Sequence, residues 1–205
     1  MLIFIGGGYM QLINNKNIQE LFAKNELVIT PILSRDQIGQ ASIDLRLGNI
    51  FKVSRQTREG FIDISKDNIE KFFDTSYRDF GEDFILYPNQ LVLANTFEFI
   101  KLPNNIMSNI YTRSSINRLG VKISSIAQPG YSGTLTLELI NRSDSPVKLK
   151  CGMRIIQLVL FDVGNEGVLP YRNIKGAKYI ANTEPKVSNI FEDLDLDNLN
   201  KMISL

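Results

Sequence analysis

The chain is divided into short apolar or alternating runs, each bounded by turn-forming residues. These runs occupy residues 84–87, 91–94, 97–100, 134–139, 147–149 and 154–161. Pro88-Asn89 and Asn95-Thr96 separate the first three runs, so we expect each of them to be a separate strand. Many short strands with frequent turn signals are typical of a jelly roll or a β-barrel, and the sequence therefore predicts a mainly β fold.

The two ends of the chain differ from this β-rich middle. An asparagine-rich start at residue 14, followed by apolar residues at helical spacing, predicts one short helix that leads into a strand at residues 27–29. Residues 1–11 lack a basic region, and their apolar run is too short for a signal peptide or a membrane span, which indicates a short extension. Residues 169–205 have few strand signals and are predicted to form a C-terminal arm.

The size and charge of the chain narrow its partners. At 205 residues and 43% hydrophobic content, the chain can form one domain with a full core, and we expect a single domain over residues 1–205. A net charge of +1 gives no basic face for nucleic acid, so any phosphate binding should be local and the ligand small. We expect a cytoplasmic protein that binds neither nucleic acid nor membrane.

The lack of histidine removes much of the usual catalytic repertoire. The chain contains no histidine and one cysteine, Cys151, which excludes a Ser-His-Asp triad, a Cys-His pair and a His/Cys zinc site. One cysteine also permits no disulfide within the chain, as expected for a reducing cytosol. Cys151 lies in an apolar run and is predicted to be a buried packing residue.

Residues 41–53 alternate between apolar and polar positions and predict a strand that continues past Gly48. Asp44 and Arg46 share one face of this strand, which favours a structural ion pair beside the core. Residues 54–83 are charged and irregular, and we expect a long excursion between strands without an assigned function.

Polar, charged and glycine residues are concentrated between residues 111 and 138. Arg113, Ser114, Ser115 and Arg118 provide two guanidinium groups and two hydroxyl groups within one short stretch. Arginine suits phosphate because its planar fork of donors matches the phosphate oxygens. A glycine-punctuated turn follows at residues 129–133.

The strand at residues 134–139 carries the candidate base. Strict alternation puts its leucines on one face and Thr134, Thr136 and Glu138 on the other, so Glu138 is the one carboxylate on a polar face. A carboxylate partly withdrawn from water beside a cation can be tuned for proton transfer, and Arg118 would supply that charge. A structural network of ion pairs and caps would gather the same residues, so both interpretations stay open at this point.

Several pieces of the sequence occur in the order found in one known family. They are residues 41–51, 84–106, 113–120, 129–141, 152–161 and 177–179. Together they resemble the dCTP deaminase branch of the dUTPase superfamily. The resemblance implies a homotrimer of distorted jelly-roll subunits, with active sites at the interfaces, where a deoxynucleoside triphosphate binds together with Mg²⁺ and no zinc takes part.

The resemblance also implies a role for each matched residue. Glu138 matches the general base, which takes a proton from the water that attacks cytosine C4. Arg118 would orient Glu138 and polarise the reacting centre, and Ser114 would lie near the base and its water. Arg113 and Ser115 match residues that hold the phosphates.

Further matches concern the sugar, the base and the arm. Tyr131, Leu135 and Thr136 resemble the part that packs on deoxyribose and reads the base edge, where a ring against C2′ would exclude a hydroxyl group sterically. An ordinary turn aromatic is the alternative for Tyr131. Tyr171 and Lys178 match positions of the arm that contact the triphosphate.

The chain departs from the family pattern at three places. Asn182 stands where a glutamine is usual, and Gln128 replaces the usual aspartate before Pro-Gly; both are predicted to bind substrate by their position. Residues 121–127 are a few residues shorter than the usual loop, which normally brings a backbone carbonyl for the water and a further basic side chain.

Three hypotheses follow, in this order. The first is a hydrolase that deaminates dCTP to dUTP, in the pyrimidine deoxynucleotide metabolism that leads to dUMP and dTTP. Its Mg²⁺ is bound through the triphosphate, and no metal is bound by the protein itself. The second is a dUTP diphosphatase or a bifunctional dCTP deaminase and dUTPase, and the third is a non-catalytic nucleotide-binding trimer. The expected ligand is dCTP, with dUTP and dTTP as further candidates.

Overall fold

The computed structural model describes residues 10–58, 61–64, 68–164, 168–174, 181–190 and 195–203. Its strands are β1 Gln11–Leu12, β2 Val28–Thr30, β3 Ile43–Ser54, β4 Phe73–Tyr77, β5 Asp83–Leu86, β6 Leu91–Lys101, β7 Ile106–Thr112, β8 Val121–Lys122, β9 Ser124–Ala127, β10 Ser132–Asn141, β11 Val147–Lys150 and β12 Arg154–Asp162. The helices are α1 Asn15–Ala23, α2 Ser114–Asn117 and α3 Asp195–Ile203, and short 3-10 turns lie at Arg35–Gln37, Ile69–Phe72 and Tyr171–Asn173.

Antiparallel pairing joins most of the strands into one ten-stranded sheet. Its main path runs β8-β10-β6-β3-β12-β7-β9, while β1, β2 and β4 attach to β12, β6 and β3. Strands β5 and β11 form a separate pair. Register shifts interrupt the pairing of β3 with β6 and of β10 with β6, and such bulges bend a sheet and increase its twist. The sheet curls around one core, which confirms the predicted mainly β, jelly-roll-like fold.

The N-terminal helix α1 forms where the sequence predicts it. The side chain of Asn14 caps the helix by accepting a hydrogen bond from the backbone N–H of Asn17 at 3.1 Å. One side of the helix packs on the sheet, where Ile18 is fully buried. The chain then enters β2, as expected.

The core is built mainly from leucine and isoleucine side chains of facing strands. Alternation along β10 directs Leu135, Leu137 and Leu139 into this core and leaves Glu138 exposed, as predicted. Cys151 is also buried, and burial raises the pKa of its thiol. The structure therefore confirms Cys151 as a packing residue.

The prediction of two strands between residues 91 and 100 is wrong, because β6 runs without interruption through Asn95 and Thr96. The side chains of these two residues accept hydrogen bonds from backbone N–H groups of neighbouring strands, from Ile50 at 3.2 Å and from Leu135 at 3.0 Å. Both acceptors lie at the register shifts, where the regular ladder is interrupted. Polar residues that look like a turn in sequence therefore stabilise two bulges.

The prediction that Asp44 and Arg46 pair with each other is also wrong. Asp44 lies 3.1 Å from Arg113 and 3.7 Å from Arg154, whereas Arg46 lies 4.0 Å from Glu98. Residues two positions apart on a strand are separated by about 7 Å, so side chains of adjacent strands are nearer. The charges on β3 consequently join this strand to its neighbours.

Residues 54–83 contain more regular structure than their composition indicates. Strand β4 pairs with β3, and the 3-10 turn before it buries Ile69 and Phe72. Ile69 packs with Leu93 and Val187 in a small second apolar cluster. Residues Ile69 and Phe73 of the excursion thus pack against Leu93 and Leu91 of β6. None of the helices in the described ranges is long and apolar enough to cross a membrane.

Candidate active site

A cavity of about 750 Å³ opens on the polar face of β10. Residues predicted from the sequence as base, sugar or arm contacts lie in its wall: Gln128, Tyr131, Leu135, Thr136, Glu138 and Tyr171. They come from β10, from the turn before it and from the 3-10 turn after β12. The fold therefore brings together segments that lie up to some forty residues apart in the chain.

Other parts of the wall were not predicted from the sequence. Ile69 lies just before β4 and Phe73 is its first residue, while Lys186 and Ser188 belong to the C-terminal arm. The adjacent phenylalanines of residues 72 and 73, within a charged stretch, are the one sequence signal that could have indicated a buried role for the excursion. Lys122, at the start of the shortened loop, also lines the cavity.

Glu138 occupies the middle of the polar face of β10. It lies opposite Leu93 of β6, and alternation directs its side chain away from the core. Within the part of the chain that the structure describes, its carboxylate takes part in no hydrogen bond or ion pair. A ligand in the cavity can therefore engage this carboxylate without displacing a protein partner.

Tyr131 lines the cavity, and contacts within the chain hold its side chain. Its phenol donates a hydrogen bond to the backbone carbonyl of Thr134 at 2.7 Å, and its ring lies 6.3 Å from the ring of Tyr171. Burial raises the pKa of the Tyr131 phenol above its ordinary value. Gly130 precedes it with φ +74°, a left-handed conformation that favours glycine, and this places the ring in the wall.

Leu135 lies at a bulge of β10. The register of β10 against β6 shifts between Thr134 and Thr136, and the backbone N–H of Leu135 donates to the side-chain hydroxyl of Thr96 on β6 instead of to a backbone carbonyl. Bulges next to active sites often redirect backbone groups. The segment predicted to read the base edge is thus the irregular part of the strand.

The described part of the C-terminal arm runs along β10. The backbone N–H of Lys186 donates to the Thr136 hydroxyl at 3.2 Å, and the carbonyl of Asn182 accepts from the N–H of Thr134 at 2.8 Å. A Cβ at Gly133 would lie 3.0 Å from the backbone of Asn182, so glycine permits this close approach. Asn182 itself does not line the cavity, and Lys178 lies outside the described residues.

The remaining predicted residues form a second group on and next to α2. Arg113 Nε lies 3.1 Å from an Asp44 carboxylate oxygen, and its Nη1 donates to the Arg154 carbonyl at 3.3 Å. Ser114, Ser115 and Arg118 are exposed. None of the α2 group lines the cavity, and across the described ranges the Arg118 guanidinium has no ion-pair partner.

Within one chain, the predicted site residues are therefore divided between the cavity and α2. The structure does not bring Arg118 into an ion pair with Glu138 in the same chain. Across the described ranges, no cluster of three or more histidine, cysteine, aspartate or glutamate residues could hold a metal ion.

Comparison with known proteins gives the chain a family context. Residues 12–163 match the dCTP deaminase-like family. A protein of Methanobrevibacter smithii named "dCTP deaminase, dUMP-forming" is 35% identical over 192 residues, which cover 91% of this chain and 99% of that protein. One of the same name from Nanoarchaeum equitans is 39% identical over 198 residues, covering 89% and 98%.

A third relative and a solved structure are also similar to this chain. A dCTP deaminase of Natronomonas pharaonis is 33% identical over 187 residues, covering 89% of this chain and 96% of that protein. The crystal structure of 2′-deoxycytidine 5′-triphosphate deaminase from Agrobacterium tumefaciens aligns with a TM-score of 0.58 at 23% identity over 75% of this chain. This chain covers 48% of that longer protein, about half its length, and the likeness shows a shared fold.

Proposed function

Because the chain belongs to the dCTP deaminase-like family, we propose that it removes the amino group of dCTP by hydrolysis. The names of the relatives at 33–39% identity support this substrate. The observation that carries the proposal for this chain is the Glu138 carboxylate, which lies without a protein partner in the described part, on the wall of a cavity that Tyr131 also lines.

Glu138 acts as the general base in this proposal. It takes a proton from water as the oxygen bonds to cytosine C4, and the proton is then passed to the amino group, which leaves as ammonia when the C4–N bond breaks. A carboxylate on a cavity wall within hydrogen-bond reach of the water can perform both transfers. The exposed position of Glu138 in the single chain leaves room for the base and its water.

Arg118 and Ser114 complete the site from a neighbouring subunit. Both lie on or next to α2, which does not line the cavity of its own chain. A homotrimer would bring the α2 of one subunit to the cavity of the next. The exposed apolar side chains of Leu119 and Ile126, which are 52% and 54% exposed, support a covered face beside the cavity.

Arg113 and Ser115 bind the phosphates. The contacts of Arg113 with Asp44 and with the Arg154 carbonyl fix the orientation of the guanidinium, and a fixed fork of donors suits phosphate oxygens. Tyr171 and Lys178 would add contacts from the arm. Gln128 and Asn182 would act beside the sugar and the arm, in place of the usual aspartate and glutamine.

The proposal includes Mg²⁺ bound through the triphosphate. Mg²⁺ in nucleotide sites is usually held by substrate phosphates, waters and one or two carboxylates, so it needs no cluster of protein ligands. The residues present fit this arrangement, because Asp44 holds the Arg113 guanidinium, which suits the phosphates through which the ion would bind. When bound, the ion would neutralise part of the triphosphate charge. We also expect a cytoplasmic location.

The product distinguishes two versions of the proposal. In the first, dUTP is released after deamination. In the second, another water attacks the α-phosphorus of dUTP, the bond from this phosphorus to the oxygen that bridges to the β-phosphorus breaks, and dUMP and pyrophosphate leave. The names of the Methanobrevibacter smithii and Nanoarchaeum equitans proteins, which are "dUMP-forming", favour this second version. A trimer that binds nucleotide without turnover is the remaining alternative.

Chromatographic product analysis tests these versions. The protein is incubated with Mg²⁺ and with dCTP, dUTP or dCMP in separate reactions. Formation of dUTP alone from dCTP would support a monofunctional deaminase, and formation of dUMP with pyrophosphate would support the bifunctional version. No loss of dCTP would reject both.

A further inference from the structure

Helix α2 carries Ser114 and Ser115, and Arg113 and Arg118 flank it, so its placement matters for the proposed site. Two contacts hold its first turn. Arg113, at the N-cap position, lies 3.1 Å from Asp44, and the side chain of Ile116 is buried in the core. A helix of four residues needs such contacts, because short isolated helices are marginal in water.

A side-chain hydrogen bond holds the C-terminal end of α2. The side-chain oxygen of Asn117 accepts a hydrogen bond from the ammonium group of Lys122. In the described ranges this is the one side-chain hydrogen bond between α2 and β8. Lys122 is the second residue of the shortened loop at residues 121–127, so the contact joins this loop to α2.

Lys122 also belongs to the wall that carries Glu138. It lies opposite Ile140 in the pairing of β8 with β10, and both residues line the cavity. Glu138 is two positions along β10, on the same face as Ile140. Diagonal neighbours of this kind are about 7–8 Å apart and within reach of a long side chain. Lys122 therefore connects the cavity wall with the end of α2.

We propose that Lys122 is a positioning residue, which acts through Asn117 to hold α2 where its residues complete the site of the neighbouring subunit. The proposal rests on the proposed function. Displacement of α2 would move Ser114, Ser115 and Arg118 together, and a misplacement of about 1 Å can lower an enzymatic rate as much as 100-fold. Both partner side chains are exposed, so their hydrogen bond contributes little to folding stability.

A double-mutant cycle tests this inference. The variants are Lys122→Met, Asn117→Ala and their combination, with Lys122→Arg as the conservative rescue. Lys148→Met is the matched control, because Lys148 is an exposed lysine on β11 and does not line the cavity. Kinetic constants for dCTP and melting temperatures are measured for each protein.

The inference predicts that both single variants lower kcat/KM by a similar factor, roughly 10-fold, and that the double variant is no worse than either. Lys122→Arg should keep most of the activity, and all melting temperatures should stay near that of the unmodified protein. An Asn117→Ala protein with unchanged kcat and KM would overturn the inference. So would losses that multiply in the double variant, because Lys122 would then act independently of Asn117.

The failure of the proposed function can be recognised separately. If the unmodified protein does not turn over dCTP, the proposed function is rejected. The same cycle is then measured through the dissociation constant for dCTP. Equal, non-additive losses of affinity support the link between Lys122 and Asn117, and independent or absent losses overturn it.

Discussion

The carboxylate of Asp44 on β3 lies 3.1 Å from Nε of Arg113, the residue that precedes α2. This contact connects the core strand with the predicted phosphate-binding segment. The Asp44 side chain is only 12% exposed, so water does little to weaken the attraction. The second contact of Arg113, with the Arg154 carbonyl, fixes the plane of the guanidinium.

Replacement of Asp44 tests this connection. Asp44→Asn should raise KM for dCTP about 10-fold, because Arg113 loses the charged partner that orients it. The same change should destabilise the fold by about 2 kcal/mol, since two arginines lose a mostly buried carboxylate. Steady-state kinetics and urea unfolding measure the two effects. Unchanged KM with reduced stability would mean that Arg113 does not bind the phosphates.

Tyr131 should discriminate against ribonucleotides through its ring, and its phenol should have a structural role. Tyr131→Phe removes the hydrogen bond to Thr134, and should cost about 1 kcal/mol of stability while dCTP remains strongly preferred over CTP. Tyr131→Ala removes the ring and should narrow the ratio of kcat/KM for dCTP and CTP. An unchanged ratio in Tyr131→Ala would contradict the steric account.

A mixing experiment tests whether two subunits share each site. Glu138→Gln and Arg118→Ala should each be nearly inactive alone. When they are unfolded and refolded together, interfaces that pair an intact Glu138 with an intact Arg118 of another subunit should restore about a quarter of the normal activity. Refolding each variant by itself is the control. No recovery in the mixture would place both residues in the site of one chain, and normal activity of Arg118→Ala alone would assign Arg118 no role.

Glu98 predicts a specific dependence of stability on pH. Its side chain is fully buried, and burial raises its pKa above the ordinary value of 4.5, although the Arg46 N–H and the Gln37 amide donate to it. The folded protein therefore holds this proton more tightly than the unfolded chain. The contribution of Glu98 is most favourable below pH 4.5 and declines as pH rises through the raised pKa.

Melting temperatures between pH 4 and pH 8 test this prediction in the unmodified protein and in Glu98→Gln. The stability of the unmodified protein relative to that of Glu98→Gln should therefore fall as pH rises. Exposed carboxylates are common to both proteins and cancel in the comparison. A difference that is constant over this range would show that Glu98 does not titrate there.

The sequence predicted the features that depend on local pattern. Alternation correctly placed Glu138 on the exposed face of β10, and the asparagine-rich start marked the cap of α1. Asn95 and Thr96 were misinterpreted as a turn, because their composition does not distinguish a loop from polar side chains that accept hydrogen bonds at bulges.

Local sequence patterns could not predict the contacts between distant segments of the chain. Phe73 and Lys186 line the same cavity, although Phe73 belongs to the excursion at residues 54–83 and Lys186 to the C-terminal arm. Only the fold brings them together. Lys122 was overlooked because the shortened loop suggested the loss of a basic side chain. The structure instead has a lysine on the cavity wall. The roles implied for Arg118 and Lys178 stay predictions.

The most direct test of the account is the conversion of dCTP by the purified protein with Mg²⁺, compared with Glu138→Gln under the same conditions. Glu138→Gln keeps the size of the side chain and removes the base, and its effect on dCTP affinity is measured in parallel. We predict release of ammonia and loss of dCTP with the unmodified protein, and a fall in kcat of roughly 100- to 10,000-fold in the variant with dCTP binding retained. Equal turnover by both proteins would contradict the role of Glu138, and binding of dCTP without turnover by either would contradict the deaminase itself.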